Sequence, residues 1–528
     1  MRQLPHRFSQ LLFAAFLTVT LLVSCRSPQV TGADITISIT ADGESRNITV
    51  PAGSTVTQAL QSAGITIGGQ DRVDPAPYTV LGDGNAVTLT RVEEVFETEE
   101  QTIPFERQVV RNESLPEGET RLVQAGVNGL EELTYRRVLE DDVEISKAVV
   151  KSVILQEAVP EIMMVGAQSS FAPLPIPGRL VYLAGGNAWS IDTSTANRIA
   201  LVTTGDLDGR IFALSPNGNY LIFTRKSTKP ADQEINTLWA VRTDGSKPFA
   251  TGISNVVHFA DWIPGTNSIA YSTVEPRSTS PGWQANNDLH RYSVTTGARA
   301  RVLEASSGGV YGWWGMTFAF SAEGRLAYAR PDGIGLVDLD GKYLKPLLSI
   351  TPFNTHSDWA WLPSLAWGAD GKTLYFISHA PPPSLVSAED SPFFDINALI
   401  LENNGTVPIS QQTGMFAYPS VSTLQPSTRE RQYQIAYLQA IFPAQSETSR
   451  YRVVVMDRDG SNRRTIFPAN DAPGLEPQTL AWAPDSIEGQ SGNFIALIYQ
   501  GNLWLVDSGN GQAYQVTGDG LVTRIDWN

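Results

Sequence analysis

A motif that recurs through the C-terminal two thirds of this sequence constrains the fold more than any other feature. Each copy has an apolar strand that ends in Trp or Ser, a turn with Pro, Asp or Gly, and a strongly apolar second strand. Successive copies are about 50 residues apart, which is the repeat length of propeller and related arrays. The copies lie around these residues: Ser215, Trp262, Ser321, Trp367 and Trp482, with a degenerate copy near Tyr418.

Repeats of this length with four short strands predict the blades of a β-propeller. Val522–Trp527 is the opening strand of a blade with nothing after it, whereas Leu180–Leu183 and Ala188–Asp192 form a blade that lacks an opening strand. Pairing the two segments removes an open sheet edge. We expect residues 179–528 to form seven blades, with six as the alternative because the copy near Val421 is weak. The pattern resembles the WD40-like, periplasmic TolB-type propeller with its PD40 repeats.

Charge and aromatic content divide the chain into two regions. The 528 residues carry a net charge of −16, and residues 34–167 hold 23 Asp and Glu against 10 Lys and Arg. All twelve Trp lie at or beyond Trp189. The aromatic content excludes a disordered chain, and one Cys excludes a disulfide framework. The absence of a basic footprint argues against a nucleic-acid partner.

The first 25 residues predict a secreted and lipid-anchored protein. Arg2 and Arg7 precede the apolar run Leu11–Val23, which is too short to span a bilayer and has the length of a signal-peptide core. The run ends in Leu22-Val23-Ser24-Cys25, which resembles a bacterial lipobox. The resemblance implies that Cys25 is acylated and holds the protein at the extracytoplasmic face of a cell-envelope membrane. The alternative is an ordinary signal peptide followed by an incidental thiol.

Residues 34–91 predict a small α+β module. Ile35–Thr40 alternates apolar and polar residues as a half-buried strand does, and Arg46–Val50 returns after a turn. Ser54 is the expected N-cap of a helix that ends at Gly64, and a further strand is expected near Tyr78–Val80. On Val50–Val56, Ala59-Leu60 and Ala63–Ile65 the stretch resembles the ubiquitin-like module DUF348, which accompanies G5 domains.

Residues 92–167 resemble a G5 domain. The resemblance implies a thin, single-layer β-ribbon, and one departure from the family is Asp141-Asp142 where a turn glycine is usual, which a turn tolerates. The matching segments are Ile103–Glu106, Leu115–Glu119, Val123–Gly129, Tyr135-Arg136, Val159–Glu161 and Val165-Gly166.

The G5 resemblance implies binding of wall or matrix polymers that contain N-acetylglucosamine, such as peptidoglycan. The other interpretation is a stiff spacer that lifts the rest of the protein off the membrane. We expect no metal and no cofactor, because the module has no His or Cys and its carboxylates would bind zinc weakly. The acidic cluster between Glu93 and Glu100 is interpreted as a solvated face. Residues 168–178, with Pro173, Pro175 and Pro177, are expected to form an extended linker that pairs poorly into a sheet.

The candidate binding residues lie on loops that enter the innermost strands of the propeller. Trp313 and Trp359 precede their blade anchors by the same spacing, and neighbouring Trp and His side chains accompany them. Clustered aromatic faces suit stacking on sugar rings or contact with a protein partner. The alternative is that these Trp residues pack between blades. The full set is Trp313, Trp314, Trp359, Trp361, His258 and His356.

The sequence gives little support for catalysis. It has five His, no His-Glu-x-x-His motif, and no Gly-x-Ser-x-Gly elbow after the propeller. We therefore expect a binding or scaffolding lipoprotein without catalytic residues. The alternative is a propeller enzyme that acts on cell-wall polysaccharide or peptide with carboxylates gathered from separate blades, and convergent Asp or Glu residues in the channel would favour it.

Overall fold

The computed structural model describes residues 33–112, 115, 118–166, 171–340, 342–380, 387–424, 432–487 and 492–528. The predicted signal peptide, the lipobox and Cys25 lie outside these residues. Two compact units are present: residues up to Arg107 with Gln124–Glu161, and Gln108–Val123 with Ile162–Asn528. The predicted class, mainly β with a small α+β module, is confirmed.

The N-terminal module is a four-stranded sheet with one helix. Its sheet order is β2-β1-β4-β3, with β1 parallel to β4 and the other pairs antiparallel. The elements are β1 (Ile35–Ala41), β2 (Glu44–Val50), α1 (Val56–Ser62), β3 (Arg72–Asp74) and β4 (Ala86–Thr90). Ile37 and Ile39 of β1 are buried together with Val56 and Leu60 of α1, so one face of the helix closes the core.

Two local expectations for this module need correction. The N-cap of α1 is Thr55 rather than Ser54, because Thr55 exchanges a capping box with Gln58, which satisfies two free donors at once. Near Tyr78–Val80 the structure has only an isolated bridge between Thr55 and Val80, and the strand beside β4 is β3.

The next region contains two three-stranded sheets. One has the order β5-β8-β9 and belongs to the first unit, and the other has the order β6-β10-β7 and lies largely in the second. The strands are β5 (Val92–Ile103), β6 (Arg107–Asn112), β7 (Thr120–Gln124), β8 (Gly129–Glu140), β9 (Val143–Gln156) and β10 (Glu161–Gly166).

The sheet β5-β8-β9, which we call the ribbon, has almost no core. All residues of β9 but one are exposed, as a single layer with two wet faces requires. Asp141 and Asp142 join β8 to β9 with φ of 46° and 65°, so the Asp pair adopts the left-handed turn that the family usually gives to glycine. The predicted solvated acidic face is partly neutralised by ion pairs across the strands. These pairs are Glu94 with Arg136, Glu97 with Arg137, and Glu99 with Lys147.

The propeller contains seven sheets of three or four strands among the described residues, with one inserted two-stranded hairpin, which confirms seven blades over six. Blade 1 contains β11 (Pro175–Ala184), β12 (Asn187–Val202) and β39 (Val522–Trp527). Blade 2 contains β13 (Leu207–Leu214), β14 (Tyr220–Lys226), β15 (Asn236–Arg242) and β16 (Phe249–Ser254). Blade 3 contains β17 (Ala260–Trp262), β18 (Ser268–Tyr271), β21 (Leu289–Ser293) and β22 (Arg299–Leu303), with an inserted hairpin of β19 (Val274–Pro276) and β20 (Trp283–Ala285).

The other four blades follow the same antiparallel order from the innermost strand outwards. Blade 4 contains β23 (Thr317–Phe320), β24 (Leu326–Arg330), β25 (Gly333–Asp338) and β26 (Tyr343–Ser349). Blade 5 contains β27 (Leu365–Trp367), β28 (Thr373–His379), β29 (Phe394–Ile400) and β30 (Gly405–Ser410). Blade 6 contains β31 (Ser420–Val421), β32 (Gln434–Ala440), β33 (Tyr451–Asp457) and β34 (Arg464–Phe467). Blade 7 contains β35 (Ala481–Trp482), β36 (Phe494–Tyr499), β37 (Asn502–Asp507) and β38 (Ala513–Gln515).

The C-terminal strand closes the ring as predicted. β39 pairs antiparallel with β11, with Tyr182 opposite Ile525 and Leu180 opposite Trp527. On its other side, the Asp526 carboxylate accepts a hydrogen bond from the Leu214 N–H of blade 2 (2.7 Å). The two ends of the repeat array are therefore joined within one blade and tied to the next.

Indole groups join successive blades. Three Trp residues of blades 3, 5 and 7 each donate Nε1–H to a carbonyl oxygen on the innermost strand of the preceding blade. The bonds run from Trp262 to Ala213 (2.9 Å), from Trp367 to Ala319 (2.8 Å) and from Trp482 to Ser420 (3.1 Å). These buried Trp residues are packing residues, as the sequence predicts.

Part of the predicted linker is strand rather than free chain. Pro175–Gly178 opens β11, and Leu174 and Ile176 are buried in the core shared by blades 1 and 7. This end of β11 pairs only with β12, across a bulge before Arg179, because β39 pairs with β11 only from Leu180 onwards. Prolines are tolerated at such a position because one edge of the strand needs no backbone donor.

Candidate functional site

The loops that lead into the innermost strands meet at one end of the propeller, which we call the mouth. In an up-and-down blade these connections lie at the same end as the loop between the second and third strands. His258 precedes β17, Trp359 precedes β27 and Tyr418 precedes β31, so residues far apart in sequence converge there.

Two cavities occupy the mouth. The larger has a volume of about 1040 Å³, and its wall includes Pro473–Thr479 and Val522–Ile525. The smaller has a volume of about 740 Å³, and its wall includes Met316–Phe318 and Trp359–Leu365. Three residues line both cavities: His258, Tyr418 and Thr479. The shared residues make the two cavities adjoining halves of one site.

A row of three aromatic rings lines the smaller cavity. Trp359 stacks on Phe416 with ring centroids 6.4 Å apart, and Phe416 stacks on Tyr418 at 6.0 Å. The planes are inclined by 29° and 18°, so the three rings are roughly parallel. All three side chains are half-buried, and each therefore keeps some surface for a ligand.

His258 lies where the two cavities join. Its ring packs edge-on against Trp283 at 4.5 Å, and its Nε2 atom is buried without a hydrogen-bond partner. Burial and the charge of Arg210 lower the pKa of His258 to about 4, so the imidazole is neutral near pH 7. The Nε2 edge of the ring packs against Gly315, where an added Cβ atom would lie 2.9 Å from Nε2, so the ring as a whole is only half-buried and its other edge is the part available to the cavities.

The inserted hairpin β19-β20 holds one side of the mouth together. Trp283 of the hairpin contacts Trp314 edge-on at 5.7 Å, and the Arg277 guanidinium lies 5.8 Å from the ring centre of Trp313. At the hairpin tip, Ser280 Oγ donates to Asp358 (2.8 Å) on the loop into blade 5. The insertion therefore links blade 3 to blade 5 past the loop of blade 4.

The structure divides the six sequence-predicted residues. Trp359 and His258 line the site. Trp313 and Trp314 contact the hairpin and are not among the residues that line the two cavities. His356 is exposed, and its Nε2 lies 2.9 Å from Asp390 on a neighbouring loop.

Trp361, which the sequence offered as a binding residue, is almost entirely buried. It is 2% exposed although it contributes to the wall of the smaller cavity. Its Nε1–H donates to the Met415 carbonyl oxygen (3.0 Å), and its ring packs on Phe394 at 4.8 Å. This is the wedge between blades that the sequence left open as the alternative.

Several residues of the site were missed by the sequence analysis. Phe416 and Tyr418 belong to the degenerate copy of the motif, where alignment of the blades is weakest. Arg450, Glu476 and Arg524 also line the larger cavity. All of these residues lie on mouth loops or at the start of an innermost strand. Their positions relative to the strands of their own blades could therefore have identified them from the sequence.

Two carboxylates lie on innermost strands next to residues of the mouth. Asp526 follows Ile525 of the larger cavity, and Asp261 lies three residues beyond His258. Burial raises the pKa of Asp261 to about 7 and that of Asp526 to about 6, and the charge of Asp526 adds to the rise at Asp261. Each also accepts a backbone N–H from the following Trp.

Within the described ranges, no group of three or more His, Cys, Asp or Glu is arranged to hold a metal ion. In the same part of the chain, no helix is long and apolar enough to cross a membrane.

Comparison with known families identifies two domains in the N-terminal third of the chain. The G5 domain family matches residues 94–168, and DUF348, the G5-linked-ubiquitin-like domain, matches residues 37–77. The chain carries both domains. No curated protein matches it significantly.

Three solved structures illustrate the structural similarity. The G5 domain of an IgA1 protease is 25% identical, and the match covers 15% of this chain and 94% of that chain with a TM-score of 0.12. One of two prolyl endopeptidases is 12% identical, covering 65% of this chain and 49% of that chain with a TM-score of 0.41. An oligogalacturonate lyase from Vibrio parahaemolyticus is 9% identical, and the match covers 71% of this chain and 97% of that chain with a TM-score of 0.33. The assignment of the propeller rests on its sheet topology.

Proposed function

We propose that this protein is an extracytoplasmic binding protein whose recognition site is the mouth of the propeller. The observation that carries the proposal is the pair of adjoining cavities that share His258, Tyr418 and Thr479. The partly accessible rings of Trp359 and Tyr418 supply apolar surface beside it. Concave sites that combine aromatic walls with a few polar groups are typical of ligand binding.

The proposal is tested by binding of the full chain to purified cell-wall glycan and to candidate envelope proteins. Trp359→Ala is expected to weaken binding of the true partner about tenfold, because it removes one ring of the row. Trp313→Ala is the matched control, since Trp313 is 39% exposed and lies outside the cavity walls. Equal effects of the two variants would place the recognition site elsewhere.

The G5 domain supports a second element of the proposal, a stalk that binds wall polymers containing N-acetylglucosamine. The alternative is that the G5 domain acts as a spacer only. A sedimentation assay with insoluble peptidoglycan separates the two roles when the full chain carries Trp359→Ala. Binding undiminished from the wild-type level would favour the stalk as a wall-binding element, and complete loss would leave it a spacer.

The lipobox supports membrane anchoring through Cys25. Cys25→Ser is expected to abolish labelling by a palmitate analogue and to move the protein from the membrane fraction to the soluble fraction. Unchanged membrane association would contradict the anchor.

One observation favours the enzyme alternative as a second candidate function. Asp261 and Asp526 come from separate blades, and the charge of Asp526 helps to raise the pKa of Asp261, which is the kind of convergence that acid–base chemistry uses. Each carboxylate also serves the fold, because it accepts backbone N–H groups. Release of soluble fragments from cell walls by the wild type but not by Asp526→Asn would establish the second candidate. Intact walls with both proteins would leave binding as the function.

A further inference from the structure

Arg524 is a cation of the mouth without an acidic partner. Among the described residues, no ion pair includes it, and its guanidinium donates only to the carbonyl oxygen of Thr523 (2.8 Å). The side chain is exposed, and its charge acts to lower the pKa of Tyr418, so it lies near the end of the aromatic row. In a chain of net charge −16, this local positive charge is a distinctive feature.

A second arginine adjoins Arg524. Gly209 has a φ of +69°, and a Cβ atom there would lie 3.6 Å from Cγ of Arg524, so the arginine stem passes over the glycine next to Arg210. Asp208 is only a distant partner, with its carboxylate 3.9 Å from Arg210 Nε. The same carboxylate is engaged by the Thr224 hydroxyl and the Asn236 amide. Blades 1 and 2 thus bring the stem of Arg524 close to the backbone beside Arg210, whose ion pair with Asp208 is long.

In the opposite part of the larger cavity, positive and negative charges are balanced. Arg450 and Glu476 form an ion pair there, and both side chains are exposed. Gln478 is committed to the backbone of Ile498, since its amide both donates to and accepts from that residue (2.6 Å in each case). Among the described residues, Arg524 is therefore the arginine of the larger cavity wall that has no acidic partner.

Three kinds of surface thus meet at the mouth: flat aromatic rings, the half-buried imidazole of His258, and the guanidinium group of Arg524. Sugar rings stack their C–H faces on aromatic side chains, and guanidinium groups form strong, oriented hydrogen bonds with carboxylates. A neutral His supplies one donor or acceptor for a hydroxyl or amide group. An acidic peptide would use the arginines but has no need of the row of aromatic rings.

We propose that the mouth binds a carboxylate-bearing oligosaccharide, with a sugar ring on Trp359, Phe416 or Tyr418, a polar substituent on His258 and a carboxylate on Arg524. This inference rests on the proposed function and names the ligand class of the same site. It places acidic-glycan recognition in the propeller and not in the G5 domain.

Two tetrasaccharides form a matched pair of probes for calorimetric titration of the full chain. Chitotetraose is neutral, and the tetrasaccharide of alternating N-acetylglucosamine and N-acetylmuramic acid has the same backbone with added lactyl carboxylates. At 50 mM NaCl the acidic probe is expected to bind at least about tenfold more tightly. Arg524→Gln is expected to remove this difference without changing the affinity for chitotetraose. Arg291→Gln is the control, because Arg291 is an exposed arginine of the propeller that lines neither cavity.

The outcomes separate the inference from the proposed function. Equal affinity for both probes, together with weaker binding of both by Trp359→Ala, would overturn the acidic specificity and leave a binding site at the mouth. Absence of binding by both probes to the folded protein would overturn the glycan ligand, and the protein-partner assay would then decide the proposed function. Binding of tetraglutamate that depends on Arg524 and not on Trp359 would identify an acidic peptide and overturn the inference. Unchanged melting temperatures establish that each variant is folded.

Discussion

The propeller and the ribbon are both antiparallel β-structure, yet different interactions hold them together. In the propeller, β36 buries nearly every side chain, and Ile495 and Leu497 are fully inaccessible. In the ribbon, the side chains of Val149 and Ile154 on β9 are 49% and 58% exposed. The propeller therefore depends on apolar burial, whereas the ribbon depends on backbone pairing and cross-strand contacts.

The ribbon replaces a core with polar contacts across its strands. Arg137 bonds to Glu97 on one neighbour strand and to Glu144 on the other, so one guanidinium ties three strands. Lys147 lies 4.2 Å from the ring centre of Tyr135 and also pairs with Glu99. Such exposed contacts are individually weak and sensitive to salt. The comparison teaches that strand content alone does not tell how a β-region is stabilised.

The largest expected effect is at the closure of the propeller. Trp527→Ala removes a 4% exposed indole from β39, the strand that closes the ring, and is expected to lower the free energy of unfolding by about 3–5 kcal/mol. Urea denaturation followed by tryptophan fluorescence measures the loss. Trp313→Ala removes an exposed indole and should cost less than about 1 kcal/mol. Similar losses for the two variants would contradict a sealed ring.

A smaller effect is expected from pH at Asp261, one of the two carboxylates on innermost strands. Because the pKa of Asp261 is about 7 in the folded protein and about 3.9 in an unfolded chain, the folded state holds its proton to higher pH. Its contribution to stability is therefore present below about pH 4 and lost as the pH rises to about 7. An amide side chain cannot ionise, so Asp261→Asn should gain on the order of 2 kcal/mol relative to wild type between pH 4 and pH 8. Denaturation midpoints of both proteins across this range give the difference, and a gap that does not change with pH would contradict the raised pKa.

An equal apolar truncation should have unequal effects in the two regions. Ile154→Ala in the ribbon removes a side chain that is 58% exposed, and we expect a change within about 0.5 kcal/mol. Ile396→Ala in the propeller removes a fully buried side chain and should cost about 2–5 kcal/mol. The two variants are compared by the loss of their local amide protection in hydrogen exchange. Comparable losses of protection would contradict the difference in apolar burial between the ribbon and the propeller.

The smallest expected effect is that of salt. Raising NaCl from 50 mM to 1 M should increase exchange of the β9 amides by a factor of about two, since the ion pairs of Arg137 and Lys147 are screened. The β36 amides should not respond beyond general salt effects. Hydrogen exchange with mass spectrometry reads both segments in one sample. A response at β36 as large as that at β9 would show that charge supports the propeller too.

The repeat motif predicted most of the propeller because it reports local alternation and anchor residues. The pairing of Tyr182 with Ile525 followed from one incomplete blade at each end of the array. The positions of Trp262 and Trp367 as packing residues followed from their place on strands rather than loops. These features need only the order of strands along the chain.

The remaining features depend on how separate blades approach each other. The contact of Arg524 with Gly209 joins residues from the two ends of the propeller, and no local pattern encodes it. The approach of Ser280 to Asp358 depends on the reach of an inserted hairpin. Trp361 and Trp359 are only two residues apart, and the sequence cannot tell which of the two indoles turns inward.

The mouth as recognition site is tested most directly by fluorine NMR of the full chain labelled with 5-fluorotryptophan. The twelve Trp residues all lie at or beyond Trp189, so the G5 domain contributes no signal. Addition of the acidic tetrasaccharide is predicted to shift the resonance of Trp359, assigned by Trp359→Phe, and to leave those of Trp367 and Trp482 in place. Binding detected by calorimetry with no shift at Trp359 would contradict recognition at the mouth.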